Sequence, residues 1–251
     1  MREIQALIKV YFQYLWANKF VFIYNLVVPT AFYVYRQMTS NQPILRPITQ
    51  HMFATLSFFW SYIIVVTLLN NFVVTLIAHR ELGLLKQLFF IIGSKMKLIA
   101  ALFFVQFILL SIELLLFNSV VLLLSRQFSL VILVTGVGVA WLSALPIALL
   151  CSALLLFKIK IESVNVLTGL LLFGLLFLTG LPTRVTLHAG LLLLNPMNYV
   201  AEVAVQIYSI FESANFNPSM WLLVLAITLL YTGIGLFALK RLTVQPVASR
   251  A

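Results

Sequence analysis

The apolar residues of this chain fall in near-continuous runs of roughly 16 to 29 residues, and that length decides most of what the chain can become. An α-helix rises about 1.5 Å per residue, so about 20 residues cross the hydrocarbon core of a bilayer. In hydrocarbon the backbone must satisfy its own hydrogen bonds, which leaves helices or a closed barrel. Barrel strands alternate apolar and polar residues in segments of about ten; these runs do not alternate. Composition points the same way: the 251 residues are 63% hydrophobic and 9% charged, against about 25% charged in an ordinary globular domain. The expected fold is an all-α integral membrane protein.

Along the chain, residues 1–19 read as an amphipathic interfacial helix. Arg2, Gln5, Lys9 and Gln13 recur at spacings of three and four, so they share one face. The segment lacks the small-residue cleavage pattern of a signal peptide. Six spans are expected at 20–35, 53–77, 98–124, 129–157, 164–178 and 221–239, with Pro29 and Pro146 inside the first and fourth. A charged loop, 79–97, separates the second span from the third. The region 179–218 is broken by Gly180, Pro182, Gly190 and Asn195-Pro196. Asn195 suits a helix N-cap and Pro196 a first helical position, so a helix is expected to start there. The single cysteine, Cys151, lies in an apolar run and reads as a small buried residue.

The net charge of +10 bears on orientation rather than on nucleic acid, because membrane proteins keep Lys and Arg on the cytoplasmic side. With the N-terminus inside, twelve of the sixteen basic residues fall on inner segments, and only Arg36, Arg46, Arg126 and Arg184 fall outside. Both termini are therefore expected in the cytoplasm of a multi-pass cell-membrane protein.

Several chemistries have no residues to carry them. There is no GxxxxGK[ST] phosphate loop, so hydrolysis of ATP by this chain is not expected. His51, His79 and His188 are widely separated, and no HExxH or CxxC is present, so neither metal nor other cofactor is expected. The six acidic residues are scattered, which counts against a membrane-embedded lipid-modifying enzyme. Glu113 is the one clear ionisable residue within the spans, too few for an ion-coupled secondary carrier. It is a candidate proton site, or else a buried polar group paired with Gln106 or Asn118.

The loop after the second span carries most information. Arg80, Glu81, Lys86 and Gln87 are polar, Leu84, Leu85, Leu88 and Phe89 lie among them, and Gly93-Ser94 closes the piece. A short helix of this kind, charged at its start and apolar along its body, suits a groove on a cytoplasmic partner; a solvated loop with positive-inside charges is the other reading.

Arg80, Glu81, Gly83, Leu85 and Leu88 resemble the Arg-Glu-x-Gly-x-Leu-x-x-Leu stretch of ABC-2 type permeases, the membrane subunits of many ABC exporters. Lys86 stands where that family usually carries Glu. The resemblance extends over nearly the whole chain: an N-terminal interfacial helix, six spans, and two short re-entrant helices before the last span, where Gly180, Pro182, Asn195, Pro196 and Tyr199 lie. It implies that 79–97 holds a coupling helix docking into a soluble ABC ATPase, present in two copies. It further implies that a second permease copy completes the pathway, that ATP is used by the partner subunit alone, and that the substrate is lipophilic or amphipathic: a drug, an antimicrobial peptide or a lipid-linked molecule.

Overall fold

The structure is a computed structural model that describes residues 2–17, 19–39, 50–126, 128–157, 159–179, 189–213, 216–243 and 245. Every element formed by those residues is helical, with no strand among them. Gly180 and Pro182 lie outside the described residues, as do Arg46, Lys158, Arg184 and Arg250.

The first helix, α1 (Arg2–Ala17), lays a stripe of Ile4, Leu7, Ile8, Tyr11 and Leu15 against the core and packs on α6 (Lys95–Ser125). That i, i+3, i+4, i+7 spacing is the apolar stripe of an amphipathic helix. Gln5, Lys9 and Gln13 are exposed, and so is Trp16, at 81%.

Next comes α2 (Lys19–Thr39), a helix of 21 residues with Pro29 inside. Proline has no N–H, so the carbonyl of Asn25 loses its helical partner. The Thr30 hydroxyl donates to the Leu26 carbonyl at 2.6 Å in the same turn.

The following helix is continuous but not uniform. It begins as α3 (Gln50–Thr67), widens into a π-helical segment, Leu68–Val74, and returns to α-helix as α4 (Thr75–Glu81). Such i→i+5 turns are rare and occur frequently at functional sites. Beyond it lie α5 (Leu84–Ile92), α6, α7 (Leu130–Cys151) with a 3₁₀ turn at Ser152–Leu156, α8 (Ile161–Thr179), α9 (Ala189–Leu192), α10 (Pro196–Ser213) and α11 (Pro218–Arg241).

Among the described residues, five stretches are long and apolar enough to cross a membrane: Phe53–Glu81, Lys95–Ser125, Leu130–Leu156, Ile161–Thr179 and Pro218–Arg241. They correspond to five of the six expected spans; the remaining one, 20–35, falls on α2. In the 179–218 region, α10 is eighteen residues long and packs against α3 and α7, so it exceeds the short piece expected there.

The core forms where α3, α6, α7, α10 and α11 meet. Two glycines permit its closest approaches. A Cβ on Gly136 of α7 would collide with the Asn118 amide nitrogen, and one on Gly235 of α11 would collide with the Leu149 carbonyl oxygen. Small residues at such crossings let helix backbones pack closely in membranes. By contrast α8 stands at the margin: Val164 and Thr168 are buried, while Val166, Leu170, Phe173 and Phe177 are exposed.

Candidate functional site

The charged loop is built as an elbow. The helix from α3 through α4 stops at Leu82, Gly83 takes φ +75°, α5 runs for nine residues, and Gly93 takes φ +71° before α6 begins. Glycine enters this left-handed region without steric cost, which is why the chain turns at these two places.

This geometry separates residues that the sequence places on one short helix. Arg80 and Glu81 belong to the last turn of the preceding helix. The Arg80 side chain is only 2% exposed. Its guanidinium donates to the Leu155 carbonyl at 3.2 Å, to the Ile159 carbonyl at 3.3 Å and to Glu81 Oε1 at 2.8 Å. The planar fork of arginine suits such divergent acceptors. Arg80 therefore fastens the end of α4 to the turn between α7 and α8, and the Glu81 carboxylate, 8% exposed, is held against it.

Leu85 requires a correction. It is fully buried in the chain's own core, because the sharp turn at Gly83 rolls that face of α5 inward; it offers nothing to a partner. Leu88 and Phe89 are half-buried against the same core. The outward face consists of Leu84, Lys86, Gln87, Phe90 and Ile91, with Ile91 79% exposed and Lys86 5.9 Å from the Phe90 ring centre. The signal in the sequence is indirect: Phe90 and Ile91 stand four residues beyond the polar Lys86 and Gln87, and so share their outward face.

Glu113 is fully buried on α6, and its Oε2 accepts a 2.6 Å hydrogen bond from the Thr67 hydroxyl, just before the π-helical segment. Neither expected partner joins it. Asn118 is taken by Trp60, whose indole N–H donates to it at 2.7 Å, and its own amide reaches the Ile132 carbonyl at 3.5 Å. Gln106 is buried with its side-chain oxygen unpartnered among the described residues.

Asn195 caps α10: its side-chain oxygen accepts from the Met197 N–H at 3.0 Å, with Pro196 in the first turn. Its amide donates to the Leu175 carbonyl and the Thr179 hydroxyl, both at 3.0 Å, which ties the cap to α8. Tyr199 shares a 2.7 Å hydrogen bond with Thr228 of α11, and Tyr231 donates to the Leu193 and Leu194 carbonyls. The three sequence-flagged residues Asn195, Pro196 and Tyr199 thus form a junction that anchors helices.

A further opening lies elsewhere. A cavity of about 1090 Å³ runs between α2, the α3–α4 helix and α8. Asn25, Asn70, Asn71 and Asn165 all line it, together with Tyr14, Tyr24, Tyr62 and Thr168, and no charged side chain is among its described lining residues. A second cavity of about 440 Å³ adjoins it through Val28 and Tyr62, walled by Phe32, Tyr35, Phe58 and Phe59 with Arg36 at its edge. Sequence reasoning misses the four asparagines, yet each interrupts an apolar run, and that interruption is the signal that finds them.

These features define a multi-pass α-helical membrane protein with an elbow helix at one end of its spans and an amide-lined cavity among them. Compared with known proteins, the chain matches no family model, no curated protein and no solved structure.

Proposed function

We propose that this chain is the permease subunit of an ABC exporter. The observation that carries the reading is the α4–α5–α6 elbow. A nine-residue helix sits between two spanning helices, stopped at each end by a left-handed glycine, and turns Leu84, Lys86, Phe90 and Ile91 outward. A short amphipathic helix of this kind is what a groove on a soluble partner recognises. Arg80 gives such a docked helix something to pull on, since its hydrogen bonds join the elbow to the α7–α8 turn.

On this reading α2 is a sixth span, both termini lie in the cytoplasm, and the 189–213 region re-enters the membrane from the outer side. Two copies of the chain enclose the pathway, with the exposed flank of α8 at their contact, and two soluble ABC ATPase subunits drive it. The chain itself binds no nucleotide. The substrate is lipophilic or amphipathic.

The test is purification from native membranes in mild detergent. An ABC ATPase should come through in about equal amount, and Phe90→Asp with Ile91→Asp should release it while the chain stays folded. An unaltered yield of ATPase with that double variant would remove the elbow from the interface; no ATPase at all would sink the reading.

A further inference from the structure

The asparagines of the large cavity are arranged on three separate elements: Asn25 on α2, Asn70 and Asn71 on the π-helical segment, and Asn165 on α8. An amide placed in an apolar span costs free energy unless it finds a partner. Asn25 is 3% exposed, and its side-chain N–H₂ has no partner among the described residues. Its backbone carbonyl also lacks a helical donor, because Pro29 stands four residues on. Donor and acceptor capacity are thus both left over at one position facing the cavity.

The π-helical segment supplies the opposite wall. Leu68, Leu69, Phe72 and Val73 go into the core while Asn70 and Asn71 line the opening. A volume of about 1090 Å³ is of the size that holds a small molecule, since such sites run to about 300–1,000 Å³. Aromatic side chains surround the amides, and the second cavity continues the apolar wall.

We propose that this cavity binds an uncharged, amide-bearing amphiphile of the apolar-peptide type. Amides of the ligand exchange hydrogen bonds with Asn25, Asn70, Asn71 and Asn165, and its apolar groups lie against Tyr24, Tyr62 and the neighbouring aromatic cavity. An ionic group has no counter-charge among the large cavity's described walls, and burying an unpaired charge is far costlier than burying a paired amide. Among the described residues, Arg36 is the one charged side chain lining either cavity, and it lies in the second, at the end of α2 remote from Asn25. The inference deepens the permease reading by naming the class of cargo, but the binding itself needs no ATPase.

The experiment uses the full chain in phosphatidylcholine nanodiscs, with empty nanodiscs as the blank. The probe is tritiated N-acetyl-leucyl-leucyl-leucinamide, alongside the same peptide with a free carboxylate and with a free amine. Saturable binding of the blocked peptide is expected, at least about tenfold tighter than either charged form, the difference one hydrogen-bonded or charged group commonly makes. Asn25→Leu and Asn71→Leu should each weaken it by about tenfold.

Thermal melting separates binding from folding. Asn25→Leu removes an unpartnered buried donor, so the melting temperature should stay level or rise while affinity falls. Equal binding of all three peptides, tighter binding of the carboxylate form with loss on Arg36→Gln, unchanged affinity in both asparagine variants, or no saturable binding would each overturn the proposal. Peptide binding without a co-purifying ATPase would uphold the site and remove the permease reading; the reverse outcome would do the opposite.

Discussion

Two asparagines in the interior of this bundle, Asn118 and Asn25, stand in opposite circumstances. Asn118, between α3, α6 and α7, is spent at both ends: its oxygen receives the Trp60 indole N–H and its amide reaches the Ile132 carbonyl, with Gly136 leaving room for it. Asn25, on the other side of the α3–α4 helix, has an unpartnered amide among the described residues and faces an open cavity. The same side chain is helix-to-helix glue where its hydrogen bonds close within the chain, and a surface for something else where they do not. The closed side includes α6, α7 and α11; the open side is the cavity between α2 and α8.

That contrast is broken most forcefully at the elbow end of the closed side. Arg80→Ala removes two bonds to the α7–α8 turn and strips Glu81 of its arginine. Removing one partner of a buried pair costs about 3–5 kcal/mol. Little folded protein should survive detergent extraction, as read by size-exclusion chromatography after a heating series. Glu81→Ala, which leaves both carbonyl bonds in place, should be milder. If Arg80→Ala melts like the parent chain, the closed side does not extend to the elbow.

The closed side should also be sensitive to alkali through α1. Burial raises the Tyr11 phenol from its ordinary value to about 12, and the ring stacks on His79 at 5.9 Å, with Tyr14 packing on the other edge. A phenol with a raised folded pKa contributes stability that is complete below pH about 10 and is lost as the pH climbs through about 12, a loss of about 2–3 kcal/mol. Melting temperature measured from pH 9 to 12 should fall, and Tyr11→Phe should remove that part of the fall. A parallel decline in both proteins would place the alkaline sensitivity elsewhere.

Much of this architecture is legible in the amino-acid sequence. Five apolar runs form five helices of spanning length, Arg2–Ala17 carries an apolar stripe, Gly93 marks a turn, and Asn195-Pro196 marks a helix start. Local chemistry decides those features: run length, missing N–H groups, left-handed φ and a capping oxygen.

Direction is what the residues do not reveal. In a helix apolar on all sides the 3.6-residue period carries no contrast between lipid and protein. Leu85 and Ile91 are both apolar, and only the spacing of Ile91 four residues beyond Gln87 separates them in sequence, yet one is buried and the other almost wholly exposed. Arg80 looks like the start of a docking helix for the same reason, since nothing nearby in the chain reveals the Leu155 and Ile159 carbonyls that receive it. The cavity is harder still: it depends on four asparagines brought together from positions 25 to 165 by α2, the π-helical segment and α8.

Smaller effects sharpen the contrast at its centre. Gly136→Ala would push a methyl into the Asn118 amide, and overpacking of this kind costs about 1–3 kcal/mol. Asn118→Leu leaves the Trp60 N–H without its acceptor, a loss of about 1–3 kcal/mol. Both should lower the melting temperature, and Gly136→Ala in an Asn118→Ala background should not add its full cost, because the amide it strikes is gone and no atom takes its place. Full additivity would mean that the two residues do not share a contact.

The smallest stability effect is expected on the open side, and the contrast with Asn118 requires it to be small. Asn165 is exposed on α8, and Asn70 is half-buried on the π-helical segment; both face the cavity. Replacing either with Leu takes no acceptor from a buried indole and forces no backbone apart. It trades a polar group in an apolar setting for an apolar one, so the change should stay within about 0.5 kcal/mol in either direction. Interhelical hydrogen bonds in membranes average only about 0.6 kcal/mol, so even an added partner would not make these sites resemble Asn118. Melting curves of Asn70→Leu, Asn165→Leu and Asn118→Leu in the same detergent make the comparison directly. If Asn165→Leu falls as far as Asn118→Leu, the cavity wall belongs to the part of the molecule that holds the fold, and its asparagines are kept there by packing rather than left free for a ligand.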